Sequence, residues 1–136
     1  MSTAPLETKL QTVAQPIATV GNTATEIVGE APHGATVTEV TYTPKAALSG
    51  ANTNSRTLNL YNRGLAGVGT TLVATLALVS GVNLVDNDEK TIVLSATPAN
   101  LVLVDGDVLE WESLAVATGI ADPGGQVRVT LSRTAV

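Results

Sequence analysis

Two pairs of carboxylates stand close together in the chain: Asp105 and Asp107 on either side of Gly106, and Glu110 and Glu112 on either side of Trp111. Carboxylates so placed can do two kinds of chemistry. They can serve as acid and base on a glycosidic bond, which needs a separation of about 5 to 9 Å. They can also ligate a hard cation such as calcium through oxygen. Alternate residues of a strand share a face about 6 to 7 Å apart, so Glu110 and Glu112 meet the first distance requirement. A glycosidase also wants a cleft with aromatic platforms, and one tryptophan, two tyrosines and no phenylalanine supply these poorly. A calcium loop of the EF-hand kind wants a closing glutamate at position twelve. Counting from Asp105 reaches Val116, and from Asp86, paired with Asp88, reaches Thr97, so neither loop closes. The plainer reading is structural. Asp-Gly is a strong turn signal, because glycine supplies positive φ and aspartate bonds its own backbone. A strand then follows with Leu109 and Trp111 toward the core and Glu110 and Glu112 toward water.

Other chemistry fails for want of partners. There is no cysteine, and His33, in the turn-like "EAPHGAT", is the single histidine, so thiolate sites, two-histidine metal sites and nucleophilic triads lack members. His33 reads as a solvated loop side chain. "GLAGVG" (64–69) has no Lys-Ser/Thr after it and opens no helix, so it reads as a flexible hairpin loop and not a phosphate cradle. No catalytic residue, metal site or cofactor is expected. The polar stretch "SGANTNSR" (49–56) is the candidate recognition loop, with Asn52, Asn54, Ser55 and Arg56 offering hydrogen bonds.

The elements that must carry these residues read as strands. "TATEIV" (23–28), "ATVTEVTYT" (35–43), "SRTLNLYN" (55–62), "TTLVATLALVS" (70–80), "KTIVLSA" (90–96), "DVLEWESLAVA" (107–117) and "GQVRVTLSR" (125–133) are separated mostly by Gly, Pro, Asn or Asp. Leu58 and Leu60 share one face of their strand, as do Val127, Val129 and Leu131 of theirs. Val40 and Tyr42 share a face, with Val37 opposite. Residues 70–80 are apolar on both faces, as in a central strand. Seven or eight strands at this spacing predict an all-β antiparallel sandwich over residues 21–136, Ig-like or jelly roll. Residues 1–20 differ. Pro5 and Pro16 interrupt them, and Leu6, Leu10, Val13 and Ile17 stand at helix-like spacing. Two readings are open for this segment: an arm docking its apolar residues on a partner, or a frayed terminus leading into a first strand.

Length and charge bound the rest. At 136 residues the chain fits one domain, and an aliphatic core of Val, Leu, Ile and Ala needs no staples. A net charge of −5 with scattered Lys and Arg argues against nucleic acid and against an anionic membrane surface. The opening residues show no basic stretch followed by an apolar one, and no apolar run reaches the ~18 to 20 residues of a membrane span. The expectation is a soluble product made in the cytoplasm.

"YTPKAALSGANTNSRTLNLYNRG", "TTLVATLALVSGVN" and "GDVLEWESLAVATGIADPGGQVRV" together resemble the small β-sandwich virion proteins of tailed bacteriophages, most of all capsid decoration or minor head proteins. The resemblance covers residues ~35 to 133 and carries over no active residue. It implies a structural role on the outside of an icosahedral head. The major capsid protein would be the partner, a homotrimer the working form, and a terminal arm a means of attachment. The alternative from another class is a receptor- or carbohydrate-binding β-sandwich module of a phage fibre or surface protein.

Overall fold

The strands pair as a nest, each from the first half of the chain with its counterpart from the second. The computed structural model describes residues 7–133. In chain order the strands are β1 (Glu7–Ala14), β2 (Ala24–Glu30), β3 (Ala35–Pro44), β4 (Ser55–Gly64), β5 (Thr71–Ala77), β6 (Lys90–Leu94), the short β7 (Val102–Leu103), β8 (Val108–Val116) and β9 (Gly125–Arg133). A 3-10 turn spans Pro98–Leu101. The antiparallel pairs β4–β5, β3–β6, β2–β8 and β1–β9 lie one inside the next, as in one long hairpin folded at the 65–70 loop. Rolling that hairpin adds the pairings β3–β9 and β4–β8. The strand order β1-β9-β3-β6-β5-β4-β8-β2 results, with β7 beside β3.

Divided at the short β5–β6 pairing, this order gives two four-stranded layers, β1-β9-β3-β6 and β2-β8-β4-β5. The connections β1 to β2, β2 to β3, β3 to β4, β5 to β6 and β8 to β9 all cross between them. That winding is a jelly roll, which decides between the two sandwich types the sequence left open. On the side away from β5–β6, β1 and β2 face each other and side chains close the seam. Leu10 packs beside Gly29, Glu26 Oε2 accepts from the Gln15 N–H at 3.2 Å, and Thr8 meets His33.

The first strand takes up part of the N-terminal segment. Residues 7–14 form β1, paired with β9 from Glu7↔Ser132 to Ala14↔Gly125. Leu10 and Val13, grouped by helix-like spacing, therefore lie on opposite faces. Leu10 packs against the core, Val13 is exposed, and Ile17 is buried and bridged to Asp122. Leu6, the remaining member of that group, lies outside the described residues. Of the two readings of this segment, the described part takes that of a first strand. Its inward positions are Thr8, Leu10, Thr12 and Ala14, and the threonines mask the alternation that the backbone obeys.

Two bulges explain departures from simple period two. A shift between Val37 and Glu39 inserts Thr38 into β3, so Val37 turns inward with Val40 and Tyr42 instead of opposing them. A second, between Leu60 and Tyr61 of β4 and across from Val73, lets Val73 and Ala74 both be buried. The strand expected over 70–80 is also shorter, ending at Ala77. The Leu78 N–H then donates to the Arg56 carbonyl in the loop beyond. The core is aliphatic, as composition required, around one aromatic pair. Tyr42 and Trp111 sit 5.2 Å apart between centroids, tilted by 34°, and both are buried.

Candidate functional site

The Asp105–Gly106–Asp107 stretch is a turn, and its second carboxylate is committed to it. Gly106 has φ 93°, where a side chain would be strained. Asp107 is buried, and its Oδ2 accepts from the Val104 N–H at 2.9 Å and from Asn62 Nδ2 at 3.1 Å. Among the described residues no group of three or more His, Asp or Glu is placed to hold a metal ion. The strand after the turn runs as the alternation requires, with Leu109 and Trp111 inward. Glu110 and Glu112 lie on the outer face of the β2-β8-β4-β5 layer. Each is occupied by a neighbour on β4. Arg63 donates to Glu110 Oε1 through Nε at 2.9 Å and Nη2 at 2.6 Å, and its guanidinium lies 4.7 Å over the Tyr61 ring. Asn59 Nδ2 donates to Glu112 Oε1 at 3.0 Å, and Thr75 Oγ1 donates to Asn59 Oδ1 at 2.6 Å. Burial first, then the Glu112 charge, pushes the Tyr61 phenol pKa up.

The most developed polar cluster lies inside, and two of its members come from the expected recognition loop. Arg56 and Ser55 are buried at the start of β4, not displayed. Arg56 Nε donates to the Ile120 carbonyl at 2.8 Å, Nη1 to those of Asn22 and Ser113 at 3.0 and 3.1 Å, and Nη2 to that of Val20 at 3.0 Å. One guanidinium thus joins the β1–β2 loop, the β8–β9 loop and β8. Beside it Asp122 accepts from Tyr42 Oη at 2.6 Å, Ser113 Oγ at 2.6 Å and the Gly124 N–H at 2.9 Å. Burial draws the Arg56 pKa down and the Asp122 charge opposes that. Burial, and then Asp122, hold the Tyr42 phenol far above the ordinary tyrosine range.

The asparagines of the same loop bond their neighbours. Asn52 Oδ1 accepts from the Ser80 N–H and Asn54 Oδ1 from the Thr118 N–H, while Asn83 Oδ1 accepts from the Gly50 N–H. The loops β1–β2, β3–β4, β5–β6 and β8–β9 gather at one end of the roll and are knitted together there. Sequence reasoning missed Asp122 and Ser113 as members of this network. Ser113 carried a signal, since it shares strand parity with Leu109 and Trp111; Asp122, in a loop, carried none.

His33 is part-buried, not freely solvated. Its Nδ1 faces the Gly34 carbonyl at 2.9 Å, so in the neutral ring Nδ1 carries the proton and Nε2 accepts from Thr8 Oγ1 at 3.1 Å. This ties β1 to the β2–β3 loop. The "GLAGVG" stretch is the hairpin tip between β4 and β5, held at its base by the Gly69 N–H donating to the Arg63 carbonyl and by Arg63 Nη1 donating to the Gly69 carbonyl.

No family model and no curated protein matches the chain. Among solved structures it is similar to a chain of infectious bursal disease virus, Gt strain, at 12% identity and a TM-score of 0.39, over 97% of this chain and 34% of that one. The Gx strain gives 11% identity and a TM-score of 0.39, over 96% of this chain and 32% of that one. The chain spans about a third of the length of the chains it matches.

Proposed function

We propose that the protein is a non-enzymatic structural component of a virion, a decoration protein that binds the outer surface of a capsid and stabilises it, working as a homotrimer. One observation supports this reading: most of the groups considered for chemistry are spent on holding the roll together. Arg56 and Asp122 bind loops, Glu110 is paired with Arg63, and Asp107 and His33 hold turns. What the fold offers is surface on a rigid frame. The sequence resemblance to phage head proteins points the same way. Carbohydrate recognition is disfavoured by the aromatic residues, because Tyr42 and Trp111 are in the core and Arg63 lies over Tyr61.

The test is addition of the purified protein to heads of its virus assembled without it. Saturable co-sedimentation, with the added mass on the outer surface in electron micrographs and heads that survive higher temperature, is the expected result. Heads that neither bind nor gain stability refute the reading. Light scattering of the free protein should give about 41 kDa, three chains of 13.8 kDa, as a closed cyclic oligomer requires. A monomer at every concentration would confine the trimer to the shell surface or remove it.

A further inference from the structure

We draw no further inference here: the strongest candidate, the aliphatic surface patch of Leu65, Val68 and Val104 at the β4–β5 hairpin tip, is matched by exposed Val20, Val79 and Val85 at the opposite end of the roll, and nothing in the structure shows what covers either.

Discussion

Arg56 has the largest effect that a single side chain can be argued to have in this protein. Its donors satisfy carbonyls from Val20, Asn22, Ser113 and Ile120, all at one end of the roll. Arg56→Met fills similar space, orphans these acceptors and leaves Asp122 without nearby positive charge. Breaking a buried polar arrangement from one side costs about 3 to 5 kcal/mol, so urea denaturation should show a loss of that order. Arg56→Lys should recover only part of it, since one ammonium cannot span the fork of a guanidinium. Strand parity made this position readable: Arg56, Leu58 and Leu60 are two apart, and the face that buries the leucines buries the arginine. The polar run before it hid that, because a loop of Asn and Ser looks like a recognition surface whether or not β4 has begun.

Tyr42 gives a prediction in pH. Its phenol pKa is raised in the folded chain by burial and by Asp122, and Tyr61 is raised as well. In the unfolded chain both titrate near 10. Between the unfolded and folded values the unfolded state has given up protons that the folded state keeps, so stability falls as pH rises above about 10. The measurement is stability by urea denaturation across that range. Tyr42→Phe should reduce the alkaline slope, while lowering stability at neutral pH by about 1 to 3 kcal/mol, since Asp122 Oδ1 loses a donor. An unchanged slope would remove Tyr42 from the account.

At the scale of elements, glycine placement tests how tightly the loops are packed. A Cβ on Gly50 would run into the carbonyls of Leu78, Val79 and Val82, backbone atoms that cannot swing away. Gly50→Ala should therefore separate the β3–β4 and β5–β6 loops and cost about 1 to 3 kcal/mol, read as a lower melting temperature. Gly81→Ala, nearby in sequence, meets no atom within contact but has φ 89°, and should cost less. Most elements were legible because period two with Gly and Pro punctuation is a local property; β4, β8 and β9 fall within two residues of where alternation put them. What failed was also physical. Thr8 and Thr12 alternate with Leu10 and Ala14 on the inward face of β1, so it carries two apolar residues where β9 carries Val127, Val129 and Leu131. The bulge at Thr38 is a feature of pairing with β9, and only the partner strand reveals it. The carboxylate pairs were read correctly as a turn and a strand face, while the polar network around Asp122 needed the loops to be brought together first.

For the whole molecule, the nested pairing dictates the order in which contacts can form cheaply. The β4–β5 hairpin closes a loop of six residues, 65–70, whereas β1 and β9 lie at opposite ends of the chain. Loop-closure entropy grows with separation, but each closed pair shortens the loop the next must close. Folding should start at β4–β5, extend through β3–β6 and β2–β8, and reach β1–β9 last. Jelly rolls are dominated by non-local pairs, so refolding should take milliseconds to seconds. Conservative core truncations separate the stages: Leu60→Ala on β4 should slow refolding, giving a φ-value above about 0.5, and Val129→Ala on β9 should mainly speed unfolding, giving one below about 0.3. The reverse order would mean that the termini meet first and that the roll closes inward. In that case removal of β1 would abolish refolding. If instead the hairpin leads, a chain lacking residues 1–14 should still fold, at lower stability and with the bare β9 edge prone to pair with other chains.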